Sequence, residues 1–154
     1  MSNFDDTPHQ GDYFVSTDKA KLDIPFTHDL LKHTYWGSWM SVQTVMKAID
    51  NSLCFGLYQR EYAETEEGPI GYSDRQVGFA RVVTDYATYA WLCDVVISSI
   101  HRGRGLGRFL VGQVMNHPDV RERSVMLTTQ DAHGLYQKFG FTHMPAMKRL
   151  GGKH

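Results

Sequence analysis

Two rhythms of hydrophobic and polar positions run along this chain. Short apolar runs rich in aromatic and β-branched residues predict strands at Asp12 to Ser16, Leu53 to Tyr58, Gln76 to Val83, Tyr89 to Ile97 and Val125 to Thr128. A second rhythm has the helical period. Val42, Val45, Met46 and Ile49 fall at i, i+3, i+4 and i+7 behind Ser41, a good N-cap, and Pro25 and Thr27 open a shorter helix through Leu30 and Leu31. Leu106, Phe109, Leu110 and Val114 share one helical face. Ala132 to Phe139 predicts a last short helix stopped by Gly140 at C′, and Phe141 to Met144 a closing strand.

The resulting order, β-α-α-β-β-β-α-β-α-β, predicts an α/β domain. Its sheet should be antiparallel in the middle, where short loops join neighbours, and parallel across the helical crossover. Between the second and third strands, Glu61 to Arg75 carries Glu64, Glu66, Glu67, Gly68, Pro69 and Gly71, which reads as an exposed hairpin loop. Asp85 to Thr88 reads as a turn. No linker divides the chain and no repeat is present, so residues 1–154 are expected to form one domain.

Composition narrows the partners. Sixteen Lys and Arg against seventeen Asp and Glu give a formal net charge of −1, which supplies no positive field for nucleic acid or an anionic membrane. Small molecules or specific proteins are the expected partners, with the chain a monomer or homodimer. Cys54 and Cys93 lie in apolar runs and are expected to be buried, reduced thiols. No apolar run approaches the roughly 18 residues that span a bilayer. Ser2, Asn3, Asp5 and Asp6 make a polar start unlike a signal peptide, so a cytoplasmic location is expected. His28 and His33 stand five apart and His133 and His143 ten apart, spacings that suggest no metal site.

The strongest chemical signal is Arg102-Gly103-Arg104-Gly105-Leu106-Gly107-Arg108, between the most apolar strand and a helix. A helix N-terminus presents unpaired N–H groups and partial positive charge, and glycine lets a phosphate come close. The arginines add charge-assisted donors. The alternative is a strand-to-helix turn needing glycine only for its shape. The dinucleotide fingerprint fails because Arg108 stands where its third glycine belongs, and no Gly-Lys-Ser/Thr loop is present.

Arg102 to Gly107 fits Gln/Arg-x-x-Gly-x-Gly/Ala, and Leu135-Tyr136-Gln137-Lys138-Phe139-Gly140-Phe141 supplies a second motif downstream. On these two motifs the chain resembles the GNAT superfamily of N-acetyltransferases, most securely from Gly78 to Phe141. The resemblance implies the GNAT fold, a mixed sheet of six or seven strands flanked by about four helices. It also implies acetyl-CoA as co-substrate and direct attack by an acceptor amine of a small molecule or peptide. Val95, Val96 and Ile97 would hold the pantetheine arm, and Arg102, Gly103, Arg104, Gly105, Leu106, Gly107 and Arg108 the pyrophosphate. The family's two central strands splay, freeing a backbone N–H for the oxyanion. Tyr136 matches the tyrosine that protonates the leaving thiolate.

Other roles are read residue by residue. Asp94, the one acidic residue of the apolar strand, is the candidate general base, since burial strengthens a carboxylate as a base; pairing with Arg81 or capping a backbone group is the other reading. Thr129 stands where many family members carry a coenzyme-contacting Asn. Trp36 and Trp39, between the early helices, together with Trp91 and Arg81, are candidates for the acceptor site, with core packing or a structural ion pair as alternatives. A coenzyme A-binding sensor without turnover is the competing reading for the whole chain.

Overall fold

Strands of this sequence pair in chain order because each apolar run is followed by a turn or a helix that returns it beside its predecessor. A computed structural model describes residues 9–152; Ser2, Asn3, Asp5 and Asp6 lie outside them. The six strands are β1 (His9–Gln10), β2 (Tyr13–Ser16), β3 (Leu53–Thr65), β4 (Gly68–Thr84), β5 (Tyr89–Ile97) and β6 (Ser124–Met126), hydrogen-bonded in that order. All neighbours are antiparallel except β5 and β6, which the helical crossover makes parallel. Helices α1 (Ile24–Lys32), α2 (Val42–Asp50), α3 (Leu106–Asn116) and α4 (His133–Gln137) complete the mixed fold. With β1 only two residues long, the sheet rests on five strands of substance.

Two cores lie on opposite faces of the sheet. Leu31, Met40, Val45 and Ile49 pack with Cys54, Phe79 and Val96 under α1 and α2. Leu106, Leu110, Val111, Val114 and Tyr136 pack with Phe55, Leu57, Val82 and Leu92 under α3 and α4. Each fully buried side chain of this size contributes about 2 kcal/mol. Ser41 caps α2 as expected, its hydroxyl accepting from Thr44 N at 3.2 Å. The cap of α1 is Asp23 rather than a residue nearer Thr27, accepting from Phe26 N at 3.0 Å. Gln76 ties α1 to β4, accepting from Asp23 N at 2.8 Å and donating to the Thr27 hydroxyl at 2.9 Å.

The residues expected as a hairpin loop form a paired ribbon instead. β3 and β4 continue through Glu61↔Ser73 and Tyr62↔Tyr72 to Thr65↔Gly68, leaving Glu66 and Glu67 as the turn. Glu61 to Thr65 on one strand and Gly71 to Ser73 on the other are all exposed, so no alternation of polarity marks the ribbon. Cross-strand aromatic and cationic contacts hold it: Tyr62 meets Tyr72 at 6.2 Å and the Arg60 guanidinium lies 4.0 Å from the Tyr72 ring.

At its base Asp74 accepts from Arg60 Nε at 2.9 Å and lies 3.4 Å from Lys21 Nζ. The hydrogen bond from Arg60 outweighs partial burial and holds the Asp74 carboxyl below the usual carboxylate range. A depressed folded-state pKa contributes stability above the unfolded value near 4, and that stability is lost as pH falls through the folded value. Asp74→Asn should therefore cost about 2 kcal/mol at pH 7 by urea unfolding. Its deficit should shrink below about pH 4; a deficit constant with pH would contradict the linkage.

The closing strand is also corrected. Phe141 packs edge-on against Tyr136 at 5.7 Å, but among the described residues Phe141 to Met144 has no strand partner, and β6 keeps its outer edge without one. Pro145, without an N–H to donate, interrupts any ladder there. A cavity of about 440 Å³ lies along that edge, lined by Met115, Val125, Phe139 and Met144 among others.

Candidate active site

Strand β5 changes its facing partway along. Phe79 opposes Val96 and Arg81 opposes Cys93, so Ala80 stands across from both Asp94 and Val95, a β-bulge. Asp94 takes the left-handed conformation at φ 60°, which a short polar side chain tolerates best among non-glycine residues. Before the bulge Ala90 and Leu92 pack toward α3. After it Val95 and Ile97 do so, while Val96 turns to α1 and α2.

The same strand parts from its neighbour. β5 and β6 pair at Tyr89↔Ser124, Ala90↔Val125 and Trp91↔Met126 and then diverge, leaving the edge of β5 beyond Trp91 without a strand partner among the described residues. A cavity of about 740 Å³ fills the divergence, walled by Trp91 to Ile97 on one side and Leu127 to Thr129 on the other. Unpaired backbone groups along such an edge can hydrogen-bond an extended ligand as a strand would.

At one end stands the glycine loop. Gly103 and Gly105 have φ 80° and 73°, the left-handed region where glycine is favoured. A methyl built on Gly103 or Gly107 would meet nothing within 4 Å, so both backbones stand open to the cavity. Helix α3 starts at Gly105 with no side chain capping it, which leaves its first N–H groups without a side-chain acceptor. This open cradle beside a channel with a free strand edge fits a pyrophosphate joined to an extended arm.

Most of the expected coenzyme residues converge here: Val95, Val96, Ile97, Arg102, Gly103, Gly105, Leu106, Gly107 and Thr129 line the cavity. Arg104 and Arg108 do not, and the Arg104 guanidinium instead donates to the Tyr13 hydroxyl at 2.8 Å. Arg102 donates through Nε to the Ile97 carbonyl at 3.2 Å. The Thr129 hydroxyl accepts from Ala132 N at 3.0 Å, capping the approach to α4 and keeping its own proton to donate.

At the other end are Tyr136, Asp94 and the aromatics. Tyr136 lines the cavity from α4, and burial, with Tyr35 and Asp131 adding, pushes its phenol up to about 12. Asp94 also lines it. Its Oδ2 accepts from Arg81 Nε at 2.7 Å, and Arg81 reaches Ser52 Oγ at 3.1 Å. Arg81 itself stays outside the cavity, engaged by this pair. Trp36 and Trp91 line the cavity, whereas Trp39 stands outside it and donates to the Trp36 carbonyl at 3.0 Å.

Tyr35, in the aromatic segment that also holds Trp36 and Trp39, faces the cavity too, as do Cys93, expected as a buried thiol but only partly buried, and His101, which sequence reading did not single out. Tyr35 accepts from Gln130 N at 3.1 Å, bridging the α1–α2 connection to the β6–α4 connection. Cys93 follows Trp91 by two residues, a period that could have marked it, and its thiol is pushed up to about 12 chiefly by burial. His101 adjoins the loop, its only clue. Among the described residues no group of three His, Cys, Asp or Glu could hold a metal, and no helix is long and apolar enough to cross a membrane.

Known proteins resemble this chain in sequence and in fold. The profile described as "Acetyltransferase (GNAT) domain" matches residues 58–143, from the middle of β3 past the tyrosine motif. A Gibberella zeae protein provisionally named acetyltransferase FG08082 is 35% identical over 136 residues, covering 80% of this chain and 76% of its own length. A solved structure from Xanthomonas campestris pv. campestris, described as belonging to the GNAT family, has 40% identity and a TM-score of 0.77, and each chain covers 96% of the other. The fold is shared as well with a GNAT family acetyltransferase from Elizabethkingia anophelis with acetyl-CoA bound, at 14% identity and a TM-score of 0.61, covering 88% of this chain and 80% of that one. With the profile spanning both motifs and the relatives spanning most of the chain, this protein belongs to the GNAT family of acetyltransferases.

Proposed function

We propose that the protein is a cytoplasmic N-acetyltransferase, one domain spanning residues 1–154, that moves the acetyl group of acetyl-CoA directly to an amine of a small molecule or peptide. The observation that carries this reading is the joining of an open glycine cradle to Tyr136 and Asp94 by one channel along the free edge of β5.

The residues divide the work. Gly103, Gly105 and Gly107 with the first turn of α3 receive the pyrophosphate. Backbone groups of Val95 to Ile97 hold the pantetheine arm, and a free N–H of that edge faces the thioester oxygen, where charge develops as the amine attacks. Asp94 keeps Oδ1 without a partner among the described residues, and this oxygen takes the proton from the amine, directly or through water. The new C–N bond forms as the C–S bond breaks. Tyr136 donates toward the departing sulfur; thiols ionise near 8.5, so a phenol near 12 stabilises the thiolate mainly by hydrogen bonding.

Direct transfer is favoured over an acetyl-cysteine intermediate. Cys93 is the one thiol on the cavity, and a thiol near 12 is almost wholly protonated at neutral pH and a poor nucleophile. Cys93→Ala should keep kcat within about threefold of wild type, since truncating it removes no reacting group. A loss of a hundredfold or more, or an acetylated Cys93 trapped on acid quench, would reverse this assignment.

The function itself is tested by incubating the protein with acetyl-CoA and a panel of primary amines, from polyamines and amino sugars to lysine peptides. Thiol release matched one for one by acetylated amine is expected for at least one acceptor. Tight binding with no release across the panel would instead identify a sensor.

A further inference from the structure

Tyr13 of β2 lies far from the glycine loop in sequence yet reaches both the turn that precedes it and its middle. Its hydroxyl lies 2.9 Å from Nδ1 of His101, in the 3-10 turn Ser99–His101, and accepts from Arg104 Nη1 at 2.8 Å. Gln10 of β1 adds a tie by donating to the Arg104 carbonyl at 3.2 Å. Arginine has no acceptor to offer, so the single phenolic proton is left for His101, whose Nδ1 then accepts. That assigns the proton of the imidazole to Nε2. Tyr13 and His101 are both buried, with their rings edge-on at 5.8 Å. The charged groups facing this imidazole are Arg104 of the loop, Arg75 of β4 and Glu61 of β3. Burial, then the two arginines, lower its pKa against a smaller opposing pull from Glu61, so His101 is neutral at pH 7. Among the described residues Nε2 has no partner, and His101 lines the cavity with Arg102 and Gly103.

We propose that His101 is a further coenzyme-binding residue and Tyr13 its positioning residue. Tyr13 fixes the tautomer that presents Nε2–H as a donor to the phosphates of acetyl-CoA, and it clasps Arg104 so that the loop between them keeps its shape. The proposal rests on the cavity being the acetyl-CoA site. It makes the short N-terminal strands part of coenzyme recognition, although neither glycine-loop nor tyrosine motif includes them.

Calorimetric titration with coenzyme A from pH 6 to pH 8.5 tests it, using wild type, Tyr13→Phe, His101→Gln and His101→Asn. Glutamine can place an amide N–H near the position of Nε2, asparagine near that of Nδ1. His101→Gln should bind within about threefold of wild type, and His101→Asn about tenfold more weakly. Tyr13→Phe should also bind about tenfold more weakly at pH 8, and KM for acetyl-CoA should rise with it while KM for the acceptor does not. Without the phenolic proton, His101 protonates more readily, and its cationic form again donates to phosphate. The Tyr13→Phe deficit should therefore shrink toward pH 6. Equal losses in the two His101 variants, no loss in either, or a Tyr13→Phe deficit constant with pH would overturn the proposal. Failure of the wild type to bind coenzyme A would overturn the reading of the cavity, and this proposal with it.

Discussion

Tyr136→Phe should lower kcat by about a hundredfold, the lower range for removing a positioned acid, while changing the dissociation constant for acetyl-CoA less than about threefold. Phenylalanine keeps the ring that packs with Phe141 and against the α3 core, so only the hydroxyl is removed. A hundredfold corresponds to about 2.7 kcal/mol of transition-state stabilisation, within reach of one hydrogen bond from a buried phenol to a developing thiolate. The sign with pH follows from the raised phenol. Its proton is lost only as pH rises through about 12, so wild-type turnover should show no alkaline decline from this group up to about pH 10. Rapid-quench measurement of acetyl transfer by the two proteins decides the matter. Comparable transfer rates would remove Tyr136 from the mechanism.

Gly105→Glu should abolish acetyl-CoA binding, a loss of more than a hundredfold in calorimetric titration. Two effects combine. Any side chain at φ 73° costs roughly 1–2 kcal/mol, because Gly105 is the left-handed residue from which α3 starts. A carboxylate there also sets negative charge beside the N–H groups meant for phosphate. Gly105→Ala separates the two, since it shares the backbone cost without the charge. Both variants should lower the melting midpoint alike, while Gly105→Ala keeps binding within about tenfold of wild type. Equal binding losses in both would reduce the loop to a structural turn.

The sequence displayed most of this architecture where a single physical signal dominated. α2 and α3 were legible because Val45, Ile49, Leu110 and Val114 fall on one helical stripe, and β5 because it is apolar almost throughout. The ribbon of Glu61 to Arg75 was illegible because both its faces meet water, so polarity does not alternate. Phe141 to Met144 has strand composition but no strand partner among the described residues, and composition does not report a missing partner. Within the site, the glycine loop and Tyr136 announced themselves through spacing. The pairing of Arg81 with Asp94 was legible as one of two readings, because each is the lone charge in an apolar strand, and the structure shows that pair. The divergence of β5 and β6 and the diversion of Arg104 to Tyr13 depend on residues far apart in the chain, which no local pattern encodes.

The bulge at Asp94 makes the length of β5 as constrained as its composition. One extra residue there lets Leu92 serve the core beneath α3 while Val96, an even number of positions later, serves the opposite core. Removing a residue between Leu92 and Val96 restores an unbroken ladder and sends the residues beyond to the wrong sides of the sheet. Changes of residue type in this stretch are absorbed one side chain at a time, whereas a change of residue number exchanges the two layers at once. In that sense the wall of the cavity is encoded by counting.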